Sequence, residues 1–385
     1  MRTSYKENDV VFLLKDITGL IKPQSTEERE QEIQAGRHYC EMLPMEYVPT
    51  QKYMEAYEEA LKHYARPTAL AVGTLAERII KEKGEHVILV SLARAGTPVG
   101  ILLKRYLEKK YGLKAPHYSI SIIRGRGIDG NAMRFLLEKY QPNDLLFVDG
   151  WIGKGAILGE LKKALWPYQG VSAELAVLAD PAKVTELCGT HEDILIPSSC
   201  LNCTVSGLVS RTVLRQDLIG ENDFHGAVYY GDLKEADLSY NFIHAIEKEF
   251  VFLRGTSEAD GRTEQAEFSE SEGRKNQAES LEADGRTEQA EFSEAGNRTP
   301  GLEEVKEIAR EFGISDINLV KPGIGETTRV LLRRVPWKIL VRQDCKDESS
   351  LAHILRLAEE KNVPVAFYPL KNYKCCGIIR KLSDA

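Results

Sequence analysis

Short apolar runs alternate with stretches whose apolar positions recur every three or four residues across roughly the first half of this 385-residue chain. The period-3.6 stretches predict helices over Tyr53–Ala65, Thr68–Lys83, Val99–Tyr111, Phe135–Tyr140 and Ala156–Trp166. Between them, Val87–Leu92, His117–Ile123, Leu145–Asp149 and Ala173–Leu178 read as strands. Near-continuous apolar strands separated by helices indicate an α/β fold whose parallel sheet is covered on both faces. Ligands of such sheets bind at the carboxyl ends of the strands.

The pattern breaks after residue 254. Gly255–Pro300 has no apolar period and contains EADGRTEQAEFSE twice, at Glu258–Glu270 and Glu282–Glu294. Too little apolar surface is available there to offset the entropy of ordering, so a disordered acidic linker is expected. Beyond it, Leu302–Phe312 and Ser349–Asn362 predict helices, while Ile317–Val320, Lys338–Val341 and Val363–Tyr368 predict strands. The expected organisation is therefore a large α/β domain over 1–254, a linker over 255–300 and a small α/β/α module over 301–385.

Charge sharpens that division. The linker holds 12 acids and 5 bases, net −7, which equals the formal charge of the whole chain. Residues 301–385 carry 15 bases against 12 acids, a mildly basic balance. No apolar run approaches the ~20 residues of a membrane helix. The start, MRTSYKENDVVFLL, lacks the basic, apolar and small-residue regions of a signal peptide. Seven thinly spread cysteines argue for reduced thiols, so no membrane partner and a cytoplasmic address are expected.

Four segments carry candidate chemistry. In LLFVDGWIGKGAILGELK, Leu145–Lys162, an apolar strand ends on Asp149 and a glycine turn leads into a helix. Backbone amides of Gly153, Lys154, Gly155 and Ala156, the helix dipole and the Lys154 ammonium together make an anion site. VSLARAGTPVGILLKRYL, Val90–Leu107, is a second strand, turn and helix, with Arg94, Ala95, Gly96 and Thr97 in the turn. Arg124-Gly-Arg126-Gly is a basic glycine-rich loop suited to closing over a polyphosphate. In IPSSCLNCTVSGLVSRTVL, Cys200 lies in a polar loop that is expected to lead into a helix. Cys200 is a candidate nucleophile if a histidine folds against it, His225 first and His191 second. Cys200 and Cys203 have metal-ligand spacing, but no second pair completes a zinc site, and no metal ligand set is expected.

Two of these segments resemble the phosphoribosyltransferase fold. Arg94-Ala95-Gly96 matches its pyrophosphate turn, and the Asp149 loop occupies the position of its ribose 5-phosphate loop. Gly150 stands where that family has a second acid, and Lys154 where its "TGGT" loop has the first Thr. Phosphate binding survives both departures, because backbone amides and Lys154 supply it. The resemblance implies that Asp149 orients ribose hydroxyls or Mg²⁺ and that Gly153–Ala156 hold the 5-phosphate. Ala95–Thr97 and Arg94 would hold the pyrophosphate of a phosphoribosyl diphosphate. Across residues 1–250, MEYVPT, SLARAGTP, FVDGW-x-GKGAI, IPSSCLN-x-TVSGLVSRT and FHGAVYY resemble a bacterial family found with tellurite- and stress-resistance genes. That family is described both as phosphoribosyltransferase-like and as a StiP-type cysteine protease.

GIGETTRVLLRR, Gly323–Arg334, resembles the "G-x-N-E-x-T-K" motif of Pelota and kink-turn-binding ribosomal proteins, with Gly325 where Asn is frequent. The likeness implies structured-RNA binding through Gly325, Glu326, Thr328, Arg329 and Arg333, with Glu326 on a guanine edge and the arginines on phosphates. The favoured expectation is a phosphoribosyltransferase-like enzyme for a phosphorylated ribose or nucleotide, joined to an RNA-binding module. A cysteine peptidase using Cys200 and His225, and a non-catalytic nucleotide- or RNA-sensing adaptor, remain the alternatives.

Overall fold

The computed structural model describes residues 1–252 and 299–379. The acidic repeat and the linker expectation for it lie outside the described residues, apart from Thr299 and Pro300. These two open a helix, with Thr299 as its N-cap.

The centre is a six-stranded, wholly parallel sheet. Its strands are β1 (Val11–Phe12), β2 (Ile88–Leu92), β3 (His117–Ile120), β4 (Leu145–Trp151), β5 (Leu175–Ala179) and β6 (Cys188–Thr190). They are ordered β1-β3-β2-β4-β5-β6. The strand order reverses between β2 and β4, which creates a crevice at their carboxyl ends. The helices are α1 (Thr26–Gln34), α2 (Gln51–Lys83), α3 (Gly96–Tyr111), α4 (Gly130–Lys139), α5 (Ala156–Leu165) and α6 (Ser239–Lys248).

Alternation along the strands divides the core. Leu89, Leu146 and Val148 face α2, α3 and α6, meeting Val72, Leu75, Leu102, Tyr106 and Phe242. Val90, Leu145 and Phe147 face α4 and α5, meeting Met133, Leu136, Leu158 and Leu161. A sheet buried on both sides explains why these strands read as unbroken apolar runs. Gly96 sets the depth of α3: a Cβ there would strike the Val148 carbonyl oxygen.

Two local expectations are corrected. The helices expected on either side of Pro67 form one helix, α2, with Pro67 inside it. A proline costs a helix about 3 kcal/mol. The buried face runs across it through Ala65, Thr68, Ala69 and Val72, so tertiary packing offsets that cost. The helix expected after Cys203 is absent: Gly207 and Leu208 both take left-handed backbone, and the chain continues extended, bridging Val209 to Tyr229 and Val213 to Gly226.

The C-terminal residues build a four-stranded sheet from β7 (Val320–Pro322), β8 (Lys338–Arg342), β9 (Val365–Tyr368) and β10 (Cys375–Ile378), ordered β7-β10-β8-β9. Only β8 and β9 run parallel. Helices α7 (Pro300–Glu311), α8 (Ile324–Arg333) and α9 (Ala352–Glu360) pack with it. This module forms one compact unit with residues 1–251. Tyr53, Tyr57, Leu195 and Leu201 share a buried apolar cluster with Ile324, Leu331, Ile354 and Leu357. Among the described residues, no helix is long and apolar enough to cross a membrane.

A candidate anion cavity between the two halves

At the carboxyl end of β4 the chain turns through Gly155, in left-handed backbone, into α5. Asp149 Oδ1 accepts the Gly150 N–H at 2.7 Å. Burial lifts the Asp149 carboxyl to about 6, and nearby Arg329 opposes the shift. Lys154 Nζ donates to the carbonyls of Ile317 at 2.6 Å and Val320 at 2.9 Å, both in the C-terminal module. Burial, reinforced by Lys321, lowers its ammonium to about 7. The loop opens on a cavity of about 300 Å³ that Asp149, Lys154, Lys321, Glu326 and Arg329 all line.

The far wall is built from the residues expected to read RNA. Helix α8 lies against β4, with the Arg329 guanidinium 4.3 Å from the Trp151 ring centroid and 3.2 Å from Glu326 Oε1. Burial works against the Glu326 charge, but Arg329, Lys321 and Lys154 hold its carboxyl below the usual range. Arg333 Nε donates to Asn202 Oδ1 at 2.8 Å. Thr328 Oγ1 donates to the Ile324 carbonyl and meets His353 Nε2 inside the module. A Cβ at Gly325 would overlap the Trp151 indole. The residues expected to read RNA thus face the N-terminal half or the module's own core. Glycine at 325, where the resembled motif has Asn, is what this close approach requires.

The second phosphate element is also redirected. Arg94 is buried and donates to Glu46 Oε1 at 3.1 Å and the Val209 carbonyl at 2.9 Å. Its guanidinium is an internal ion pair and does not line the cavity. Ala95 lies beside Gly150, and the Thr97 hydroxyl meets Ser119 Oγ at 2.8 Å within the core. The basic loop is a short hairpin whose Gly125 and Gly127 amides donate to Glu160 on α5. Arg124 lines the cavity and donates to Asn318 Oδ1, whereas Arg126 turns outward to Glu41.

Four further cations at the cavity were not foreseen: Arg334, which closes the recognised motif and pairs with Glu30, and three others. Arg29 comes from α1, which is too polar for periodicity to reveal. Its capping box, Ser25 with Glu28, was the available signal. Arg211 lies in the stretch read as a helix; its guanidinium sits 4.3 Å from the Tyr39 ring centroid, and burial, with Arg29 adding to it, lowers its pKa to about 10. Lys321 is on β7, one strand before the recognised motif.

The description "Tellurite-like stress resistance cysteine protease StiP" matches residues 3–247, and "PELOTA RNA binding domain" matches 299–381. "Cysteine protease StiP" of Acinetobacter baylyi is 33% identical over 98% of this chain and 94% of its own length. The chain belongs to the StiP family. The 13 kDa ribonucleoprotein-associated protein of Kluyveromyces lactis is 34% identical over 73 residues, 18% of this chain and 58% of that protein. A hypoxanthine-guanine phosphoribosyltransferase from Bacillus anthracis aligns with 36% of the chain and 72% of its own at 16% identity and a TM-score of 0.20.

The StiP family's protease description directs attention to the thiols, and the Cys200–His225 expectation is corrected. All seven cysteines are buried. Cys200 sits in the apolar cluster with Tyr53 and Tyr57, and burial raises its thiol far above the ordinary value. His225 is committed elsewhere: Nδ1 meets Ser121 Oγ at 2.8 Å, and its backbone N–H donates to Asp129. His191 meets Cys188, its ring nitrogens 3.6 and 3.7 Å from the sulfur and Nδ1 3.7 Å from Asp180 Oδ2. Near-equal distances to both nitrogens place the sulfur off either lone-pair axis, and burial pushes the Cys188 thiol up to about 11. Cys40 Sγ lies 2.9 Å from His38 Nδ1, but burial raises that thiol too, so no pair combines a directed hydrogen bond with the lowered thiol pKa of an activated nucleophile. Brief iodoacetamide treatment of native StiP-family chain should therefore leave every cysteine unmodified by mass spectrometry. Rapid, selective alkylation of Cys188 or Cys200 would contradict this geometry and support peptidase chemistry.

Proposed function

We propose that the cavity binds a phosphorylated ribose or nucleotide. One observation carries this reading: the Gly153–Ala156 amides, the α5 N-terminus and Lys154 converge at the crevice where the strand order reverses, beside a cavity of ligand size. Asp149, at the same edge, would accept from ribose hydroxyls. Mg²⁺ fits this donor set poorly. Asp149 already uses one oxygen on Gly150, Glu326 is paired with Arg329, and the rest of the charged lining is cationic. No step is drawn through a metal. No cysteine lines this cavity, so the peptidase alternative finds no thiol nucleophile here.

The pH dependence follows from Lys154 and Asp149. Lys154 faces Lys321, Arg124 and Glu326, and its ammonium is charged only below about 7. Asp149 becomes an anion above about 6. Both changes weaken anion binding as pH rises. Titrating the full chain with inorganic sulfate, whose own charge is constant, should show affinity falling roughly five- to tenfold from pH 6 to pH 8. Lys154→Ala should weaken ribose 5-phosphate by about 1–3 kcal/mol and flatten that profile. An affinity indifferent to pH and to Lys154 would sink the assignment.

We also infer RNA binding by the Pelota module, which the family match supports. In the packed arrangement Arg329 and Arg333 are engaged by Trp151 and Asn202, so this face needs release before it can meet a phosphate backbone. Gly325→Asn places a side chain against Trp151 and should undock α8 while leaving its helical backbone intact. The variant should bind structured RNA more tightly than the parent. Two freed arginines should steepen the log–log salt slope by roughly one to two units. Equal RNA affinity and slope in the two proteins would contradict this.

A further inference from the structure

The cavity has a charge imbalance that a single phosphate does not correct. Arg29, Arg124, Lys154, Arg211 and Lys321 all line it, and none has a carboxylate within ion-pair distance among the described residues. Arg329 and Arg334 also line it but are paired, with Glu326 and Glu30. Glu326 also feels Lys154 and Lys321 but is ion-paired with Arg329, so Asp149 is the one lining carboxylate outside an ion pair. Arg29 is the extreme case. It is 2% exposed, its Nε has no hydrogen-bond partner, and its one side-chain bond is a long 3.5 Å contact to the Arg333 carbonyl. Burying a guanidinium without a counter-ion is strongly unfavourable, so such a group marks a place for an anion.

The five cations fall into two sets. Lys321 and Arg124 act on Lys154 at the Gly153–Ala156 loop, while Arg29 and Arg211 act on each other beside Tyr39. A phosphate monoester carries about −1.5 to −2 charges, so one leaves the cavity markedly positive and two bring it near balance. The volume of about 300 Å³ lies at the bottom of the range for small-molecule sites, enough for one sugar phosphate and too small for a folded polymer.

We infer that the site takes a small sugar bisphosphate, and that its second phosphate is held by Arg29 and Arg211, not by the Arg94 turn. This rests on the phosphorylated-ribose reading above and extends it: the module completes the cavity, so the N-terminal half alone has an incomplete site. Arg94 is unavailable because Glu46 and the Val209 carbonyl hold it. Recognition needs no bond to form or break. Charge-assisted hydrogen bonds from guanidinium forks to phosphate oxygens suffice.

The test is calorimetry of the full chain with two probes, ribose 5-phosphate and ribose 1,5-bisphosphate. The bisphosphate should bind at least tenfold more tightly. Arg29→Gln combined with Arg211→Gln should erase that preference while changing ribose 5-phosphate affinity less than threefold, and Arg211→Lys, which keeps the charge, should keep most of it. Gly325→Asn, which acts by undocking the module, should erase the preference as well, and it serves if the double variant does not fold. Equal affinity for both probes in the parent chain, or a preference that persists in these variants, overturns the inference and leaves the loop assignment standing. Failure of both probes to bind overturns the loop assignment itself.

Discussion

The stacking of Arg329 and Gly325 on Trp151 is the contact on which the rest depends. Trp151 closes the strand that carries Asp149, and the Gly153–Ala156 loop begins two residues later. An indole in van der Waals contact with a helix backbone is possible only where that helix has no Cβ, and α8 supplies a glycine there. The same indole face receives the Arg329 guanidinium, a cation–π contact that burial strengthens. Around this anchor Asp193 accepts from the Ile324 and Lys374 amides, Tyr373 donates to the Gly153 carbonyl, and Arg334 pairs with Glu30. The module is thereby fixed over the loop, and the cavity between them is a product of both halves.

That placement gives one surface two competing uses. A Pelota-type match supports RNA binding, yet its basic helix is spent here on a protein contact and on lining a small cavity. The two uses exclude one another at Arg329 and Arg333, whose guanidiniums cannot meet Trp151 and Asn202 and also an RNA phosphate. A ligand that neutralises the cavity would lower the repulsion among its cations and hold the halves together, favouring the closed state through differential affinity. The family's protease description finds no counterpart in thiol exposure, and the one close cysteine–histidine contact among these residues, Cys40 Sγ to His38 Nδ1 at 2.9 Å, involves a buried thiol whose pKa is raised.

The parallel sheet and the glycine turn after Asp149 were legible because their signals are local. Apolar runs such as Leu145–Val148 and the glycines after Asp149 report burial and backbone demands within a few residues. What stayed hidden is long-range. Nothing near Arg94 in sequence announces Glu46 as its partner, and nothing near Arg329 announces Trp151. Arg29 lies on a helix with almost no apolar period, marked only by its capping box. Arg211 follows Gly207 and Leu208, whose left-handed backbone turned an apolar stretch away from the helix its composition suggested. The one local sign of docking was Gly325 itself, a departure from the resembled motif that is a steric requirement of packing.

Hydrogen–deuterium exchange on the full chain, with and without ribose 1,5-bisphosphate, tests the shared cavity most directly. The account predicts that ligand slows exchange together in peptides covering 152–158 and 321–334, because both walls are held by the same molecule. Slowing confined to 152–158, with α8 unchanged, would contradict the claim that the two halves build one site.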